Sequence, residues 1–236
     1  MEHCSSWTWI IATRNHHKVG EIRAILGDDF HYRTLQDYPT APAVVEDAPD
    51  FAGNATKKAV ELANWIANRR ESVDQQTWVL ADDSGLEVDA LSGAPGVHSA
   101  RFAAVDSQAA TANSPDSANN AKLLRLLAEV PLGKRTARFR CVIAITPVVR
   151  NNPEVSFPAC YANEAELRTQ LFDGACEGHI ALAPSGAGGF GYDPLFIPRG
   201  FDQSFAELGE EIKNHLSHRA QALQRLRDWL HMKGNL

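Results

Sequence analysis

The chain has 236 residues, 44% of them hydrophobic and 22% charged, so it is long enough to bury a sizeable core in one α/β domain. Its 23 Lys and Arg against 29 Asp and Glu give a formal charge of −6, which argues against a protein that holds nucleic acid by neutralising phosphates. No apolar run approaches the length of a membrane span, and the four scattered cysteines lack a disulfide framework, so we expect a cytoplasmic protein that does not bind membranes.

The first 81 residues predict alternating strands and helices. Residues 7–12, WTWIIA, predict a strand, and apolar residues between 19 and 26 follow at helical spacing. The acidic segment 44–54 is turn-like, residues 55–67 predict a helix, and residues 78–81 predict a return to the sheet. This order is typical of α/β folds.

The rest of the chain predicts a mixture of elements. Residues 104–120 are small and polar, which predicts an exposed loop before a helix that carries leucines between 123 and 127. Residues 136–149 predict a strand that is half exposed at its start and buried at its end, and 155–162 a weaker strand. Leucines spaced along 205–230 predict one long amphipathic helix.

Adjacent carboxylates follow the strand at 78–81. Asp82 and Asp83 are expected where the chain leaves the sheet, which is where α/β proteins usually bind ligands, and Glu46 offers an oxygen from another loop. Mg²⁺ needs only one or two carboxylates, because water and substrate phosphates fill its other positions. The alternative is a turn with solvated acids.

The segment TRNHHK lies between the first strand and the first helix. Free amides at the helix N-terminus, with Thr13, Asn15 and Lys18, could hold a polyphosphate. The alternative is that Thr13 or Asn15 caps the helix and Lys18 is solvated.

A glycine-rich loop contains the pattern G-x-G-x-x-G at Gly186, Gly188 and Gly191. A dinucleotide-binding loop must open a helix, and the prolines in the following YDPLFIP argue against one there. We expect instead a flexible loop whose backbone approaches a ligand closely, with Phe190 as a surface for a planar base. The alternative is that Phe190 is a core aromatic.

Further donors lie near the end of the chain. Lys213 and Arg219 suit a phosphate or a carbonyl oxygen, although a solvated helix face would present the same residues. No nucleophile motif supports covalent catalysis.

The segments TRNHHKVGEIRAIL, ADDSGLEVDALSGAPGVHSARFA, GGFGYDPLFIP and FAELGEEIKNHLSHRAQAL occur in this order along the chain. Together they resemble the inosine triphosphate pyrophosphatase family, the non-canonical purine nucleoside triphosphate pyrophosphatases. The resemblance covers nearly the whole chain, so residues 1–236 are expected to form a single domain of this kind.

The resemblance implies an α/β fold with an elongated mixed β-sheet, flanked by helices, and a central nucleotide-binding cleft. It implies hydrolysis of dITP, ITP and XTP to the monophosphate and pyrophosphate, which keeps these bases out of DNA and RNA. It also implies at least one Mg²⁺ per subunit, a nucleotide as the partner and a homodimer.

The resemblance further implies roles for particular residues. Asp83 would be the catalytic base, and Glu46 and Asp83 would bind the metal. The residues expected to contact substrate are Thr13, Arg14, Asn15, His16, His17, Lys18, Lys58, Ser84, Phe190, Gly191, Tyr192, Asp193, Lys213, His218 and Arg219.

The proposed chemistry follows from these roles. Asp83 would hold Mg²⁺ while it polarises a water for attack on phosphorus, and lysines 18, 58 and 213 would stabilise the departing pyrophosphate. Arg219 or a loop amide would donate to the 6-oxygen of hypoxanthine or xanthine, a position where adenine carries an amino group.

Three residues depart from the family pattern. Arg14 and His17 stand where small residues are frequent, and Gly53 stands where the family commonly carries Glu. Two alternatives therefore stay open: a related pyrophosphatase that acts on pyrimidine nucleotides, and a nucleotide-binding regulator without activity.

Overall fold

The computed structural model describes residues 7–69, 76–105, 113–149 and 164–233. The strand predicted at 155–162 lies outside these residues, as does part of the loop predicted at 104–120.

Strands and helices alternate in the first part of the described chain. The strands are β1 (Thr8–Ile11), β2 (His31–Thr34), β3 (Thr77–Val88), β4 (Thr136–Pro147), β5 (Gln170–Ile180) and β6 (Phe196–Pro198). The helices are α1 (His16–Leu26), α2 (Phe51–Ala67), α3 (Asp116–Leu126), α4 (Glu164–Leu167), α5 (Phe205–Leu216) and α6 (His218–Met232). Short 3₁₀ segments span Asp89–Leu91, Gly96–Ala104 and Leu132–Lys134.

The strands form one mixed sheet in the order β2-β1-β3-β4-β5-β6. β1 runs parallel to β2 and β3, whereas β5 and β6 are antiparallel. The predicted mixed sheet with flanking helices is therefore confirmed. β4 also has the predicted burial, because its outer positions alternate before its end becomes fully buried.

Three strands escaped prediction from the sequence: β2, β5 and β6. β5 contains two glycines, which normally weaken a strand. Gly174 is required for close packing, since a Cβ at this position would lie 2.1 Å from the carbonyl oxygen of His218. The missing side chain lets the first turn of α6 lie directly against β5.

The chain divides into two compact units. Unit 1 comprises residues 1–83, 142–172 and 223–236, and unit 2 comprises residues 84–141 and 173–222. That residues 1–236 form a single domain stays a prediction.

The core of unit 1 is built on aromatic rings and on one face of each of its longer helices. The ring of Trp7 lies 5.4 Å from that of Trp9 and 5.3 Å from that of Trp78. On α1 the predicted spacing buries Ile22 and Leu26. The WTWIIA strand is thus an interior strand, as its apolar run indicates.

Unit 2 has its own apolar core, formed by α3, α5, strand residues of β3 to β6 and the loop before β6. Its buried members are Leu86, Val88, Phe102, Leu123, Leu127, Ala137, Phe139, Cys176, Ile180, Tyr192, Leu195, Phe196 and Phe205.

The prediction of one long C-terminal helix was wrong, because two helices occupy the segment. Gly209 within α5 has φ +79°, and Ser217 between the helices is extended. The Ser217 hydroxyl accepts a hydrogen bond from Ala220 N at 3.1 Å and so caps α6. The leucine spacing continues across the break, which is why the sequence reads as one helix. Within the described ranges, every helix is too short or too polar to span a bilayer.

Candidate functional site

The turn between β1 and α1 is closed by its own side chains. Thr13 Oγ1 accepts from Asn15 N at 3.2 Å, and Asn15 Oδ1 accepts from His17 N at 2.9 Å and Lys18 N at 3.2 Å. Asn15 is therefore the N-cap of α1. The capping alternative holds in this structure, and a phosphate would have to displace Asn15 to reach these amides.

The remaining side chains of this turn differ in their surroundings. Arg14, His16 and His17 are exposed. Lys18 is not a solvated lysine, because its ammonium forms an ion pair with the fully buried carboxylate of Asp82.

Asp82 and Asp83 lie inside β3, not after it, which corrects the expected strand end at residue 81. The neighbouring strand β1 stops first, since Ile11 pairs with Leu80, and β3 continues beyond it. The two aspartates are only 2% and 6% exposed. Buried carboxylates in a strand need cationic partners, which no local sequence pattern indicates.

Lys58 supplies the second cation. From α2, its Nζ donates to Asp83 Oδ1 at 2.8 Å and to the carbonyl oxygen of Asp82 at 2.8 Å, and it lies 3.5 Å from Glu46 Oε2. Carboxylates from two separate segments therefore converge on one ammonium group. We call Lys18, Glu46, Lys58, Asp82 and Asp83 the carboxylate–lysine cluster; it lies wholly within unit 1.

Burial sets the electrostatics of this cluster. Burial raises the pKa of Asp83, and the attraction of Lys58 and Lys18 only partly offsets this effect. Burial also acts to lower the pKa of Lys58, but Asp83 and Glu46 outweigh it, so the pKa of Lys58 is raised. Asp83 is thus a better proton acceptor than an ordinary aspartate.

The donor set of the cluster fits Mg²⁺ completed by a substrate. No group of three or more His, Cys, Asp or Glu in the described ranges is arranged to hold a metal by itself. Glu46 and Asp83 nevertheless meet around one cation, the ammonium of Lys58. Two carboxylates suffice for Mg²⁺ when water and phosphate oxygens supply the other ligands.

The loop that carries Glu46 packs closely on the start of α2. Asn54, which is 1% exposed, accepts from Ala48 N at 3.0 Å, and Asp50 accepts from Gly53 N at 2.8 Å. A Cβ on Gly53 would lie 2.7 Å from that of Ala48. This departure from the family pattern therefore permits a tight approach of the Glu46 loop, and Asn54 is a supporting residue that sequence reasoning missed.

A second group of site residues surrounds Phe190 in unit 2. The ammonium of Lys213 lies 4.4 Å from the centre of the Phe190 ring, and the guanidinium carbon of Arg219 lies 5.9 Å from it. Lys213 also pairs with Asp193 at 2.6 Å, and Arg219 donates to Ser84 Oγ at 3.0 Å. We call these residues the aromatic–basic cluster: Ser84, Phe190, Asp193, Lys213 and Arg219.

Burial makes the pairs in this cluster costly to break. The side chains of Lys213 and Asp193 are 4% and 3% exposed, and Arg219 is 1% exposed. Removing one partner of such a buried pair costs about 3–5 kcal/mol, because the other charge is left uncompensated. The alternative of a solvated helix face is therefore wrong for Lys213 and Arg219.

Two further predicted contacts have their side chains in the core of unit 2. Tyr192 is 4% exposed, and its hydroxyl donates to the carbonyl oxygen of Ser99 at 3.0 Å. Burial raises the pKa of this phenol. The His218 ring stacks on Phe139 with centroids 4.8 Å apart. Their packing alone accounts for aromatic residues at these positions.

The glycine-rich loop approaches its own protein closely. A Cβ on Gly186 would lie 2.6 Å from the backbone of Ala206, and one on Gly189 would lie 2.2 Å from the Asp193 carboxylate. Gly186 and Gly189 therefore have a packing role, and the close approach of this loop to a ligand stays a prediction. As expected, no helix follows the loop before β6.

The chain is similar to known proteins over nearly its whole length. The model of the Ham1 family matches residues 9–229. A dITP/XTP pyrophosphatase of Halalkalibacterium halodurans is 41% identical over 223 residues, which are 94% of this chain and 98% of that protein. One from Geobacter sulfurreducens is 42% identical over 226 residues, covering 95% and 97%.

A solved structure of a HAM1 protein from Coxiella burnetii is similar in fold. Its TM-score is 0.75 with 31% identity, and the alignment covers 96% of this chain and 99% of that one.

Proposed function

This chain belongs to the Ham1 family, and we propose that it hydrolyses the non-canonical purine nucleotides ITP, dITP and XTP to the nucleoside monophosphate and pyrophosphate. The relatives that match over 90% of its length carry the name dITP/XTP pyrophosphatase. The structural observation that carries the proposal is the convergence of the Glu46 and Asp83 carboxylates on one ammonium group. Such an enzyme would remove these bases from the precursors of DNA and RNA.

In this proposal the carboxylate–lysine cluster binds the phosphates and promotes their hydrolysis. Glu46 and Asp83 would hold at least one Mg²⁺ per subunit, which would lower the pKa of a nearby water and neutralise phosphate charge. Asp83 would accept the proton of the attacking water. The water oxygen bonds to phosphorus, the bridge between the α- and β-phosphates breaks, and pyrophosphate leaves. Lys18 and Lys58 stabilise the charge on the leaving group.

The aromatic–basic cluster handles the base. Phe190 stacks on the purine, and Lys213, which contacts Asp193 and Phe190, supports that ring. Lys213 is therefore proposed here to support binding of the base, whereas the sequence alone suggested that it stabilises the departing pyrophosphate. Arg219 donates to the purine 6-oxygen, and an adenine amino group there leaves a buried donor unpaired, which discriminates by about 10⁴-fold.

The catalytic unit is proposed to be a homodimer in the cytoplasm. The support for the dimer is the family resemblance, and the support for the compartment is the absence of a disulfide framework among the four cysteines. Light scattering on the purified chain tests the dimer, and a mass of one chain would contradict it.

A nucleotide panel tests the activity. The chain is incubated with ITP, dITP, XTP, GTP, ATP, dTTP and UTP, with Mg²⁺ or with EDTA, and the products are separated by anion exchange. We expect equimolar monophosphate and pyrophosphate from ITP, dITP and XTP with Mg²⁺, and none with EDTA. Re-addition of Mg²⁺ is the control and restores cleavage.

Several outcomes of the panel would contradict the proposal. Diphosphate and inorganic phosphate as products would exclude a pyrophosphatase, and preferential cleavage of dTTP or UTP would exclude purine selectivity. Tight binding of ITP without product would indicate a regulator. Undiminished cleavage in EDTA would exclude the metal.

A further inference from the structure

One residue of the Phe190 loop, Gly191, is held at both its backbone N–H and its backbone C=O by a single helix. Gly191 N donates to Asp116 Oδ2 at 2.6 Å, and Asn120 Nδ2 donates to Gly191 O at 3.0 Å. Asp116 and Asn120 are one turn apart on α3, so they lie on the same face of the helix. We name these two residues the α3 clamp.

Gly191 has a backbone conformation that such bonds can fix. Its φ is +63°, in the left-handed region, and nothing lies within 4 Å of a Cβ built on it. A glycine is therefore required here for conformation and not for space. A flexible residue held by two hydrogen bonds gives its neighbours a defined direction.

The neighbour so directed is Phe190. Its backbone N donates to Asp193 Oδ2 at 2.9 Å, and the same oxygen accepts from Lys213 Nζ at 2.6 Å. The loop is thus held toward α5 by Asp193 and toward α3 by the clamp. The Cα of Phe190 thus lies between two held backbone amides, its own and that of Gly191. The ammonium of Lys213 lies over the Phe190 ring.

Helix α3 is a firm support for the clamp. Asn119 accepts from Ala103 N at 2.8 Å, and Lys122 Nζ donates to Phe102 O at 2.7 Å. Leu123 is fully buried in the core of unit 2. Groups that position a binding surface act best from such rigid elements.

The hydrogen bond to Gly191 sets the orientation of the Asn120 side-chain amide. Its Oδ1 is buried and has no hydrogen-bond partner in the part of the chain that the structure describes. An unsatisfied buried acceptor is unfavourable. Turning the amide over would place Oδ1 against the carbonyl oxygen of Gly191, so the bond to Gly191 fixes the orientation.

We propose that Asp116 and Asn120 are positioning residues that hold the backbone N–H and C=O of Gly191 and thereby fix the Phe190 ring for stacking by the purine of the substrate. The proposal rests on the proposed function and extends it to two residues that do not contact substrate. Loss of the clamp leaves phosphate chemistry intact and weakens binding of the base.

Steady-state kinetics with ITP and a double-mutant cycle test this inference. Asn120→Ala is expected to raise KM about five- to tenfold, within the range of base–aromatic stacking, and to leave kcat within about twofold. Phe190→Ala is expected to raise KM at least as much. The double variant is expected to match Phe190→Ala alone, because the clamp acts through that ring.

Substitutions at Asp116 test the clamp independently of Asn120, and a substitution at Ser117 is the control. Asp116→Ala is expected to raise KM as Asn120→Ala does, and Asp116→Asn, which keeps an acceptor oxygen, restores it. Ser117 lies between them on α3 and is exposed, so Ser117→Ala is expected to match wild type. If Asn120→Ala does not fold, the Asp116 pair with Phe190→Ala completes the cycle.

The outcomes separate the two proposals. Absence of ITP cleavage by the wild-type chain overturns the proposed function and the clamp with it. Cleavage by wild type with KM effects that multiply in the double variant overturns the clamp alone. A lower thermal midpoint with unchanged KM in Asn120→Ala and Asp116→Ala also overturns it, since that is the signature of a purely structural contact.

Discussion

At the scale of single residues, the main result is that two aspartates lie inside a strand. Asp is a poor strand residue and its charge is costly to bury, so Asp82 and Asp83 persist in β3 because Lys18 and Lys58 neutralise them. This makes the lysines part of the fold as well as part of the candidate chemistry.

The substitution Asp83→Asn tests the role of the carboxylate. It keeps the shape, removes the charge that burial disfavours, and leaves Lys58 its contact with Glu46. We expect kcat for ITP to fall about 10²- to 10⁴-fold, as for the loss of a general base, with the fold retained by circular dichroism. Asp89→Asn, at a half-exposed carboxylate bound to Arg138, is the control. Near-normal turnover in Asp83→Asn would remove Asp83 from catalysis.

At the scale of elements, the glycine-rich loop has a packing role that its sequence pattern does not indicate. Its glycines allow contact with Ala206 of α5 and with the Asp193 carboxylate. The loop is consequently a packing element that carries Phe190, and two of its glycines make room for the Ala206 backbone and the Asp193 side chain.

Two glycine substitutions test this packing role. Gly186 has φ +83° and its Cβ would meet the Ala206 backbone, so Gly186→Ala should lower the free energy of unfolding by about 2 kcal/mol or more. Gly20, in the middle of α1 with nothing within 4 Å of a Cβ, is the matched control, and Gly20→Ala should raise that free energy by about 0.5–1 kcal/mol. Urea unfolding measures both. A neutral Gly186→Ala would refute the packing role.

At the scale of the whole molecule, the open question is whether the two units fold as one. Four elements run through the boundary between them along the chain: β3, β4, β5 and α6. Backbone continuity within strands and a helix favours cooperative unfolding, which is what a single domain means in practice.

Natural probes distinguish the units. All five tryptophans belong to unit 1, whereas the buried Cys141 and Cys176 belong to unit 2. Burial raises the pKa of Cys176 to about 12, so at pH 8 its thiol should react only after unfolding. We expect tryptophan fluorescence and site-resolved alkylation of these cysteines to report the same urea midpoint. Two separate midpoints would divide the chain into two domains.

The sequence by itself determined the α/β class, the strand at residues 7–12, the burial pattern of β4 and the identity of the acids and lysines. Those features depend on composition and on local periodicity, and both can be read from neighbouring residues in the sequence. The long motifs also fixed the family, because their order along the chain is specific.

Only the tertiary structure decided which charges meet. Lys18 lies 64 residues from Asp82 along the chain, and Lys58 lies 25 residues from Asp83, so neither pairing can be read from neighbouring residues. It also decided that Asn15 closes its own helix, that the C-terminal segment breaks at Ser217, and that Asp116 and Asn120 hold Gly191 across more than 70 residues of chain. The physical reason is that burial and long-range partners set the energy of a polar group, and neither is a property of the residues beside it in the sequence.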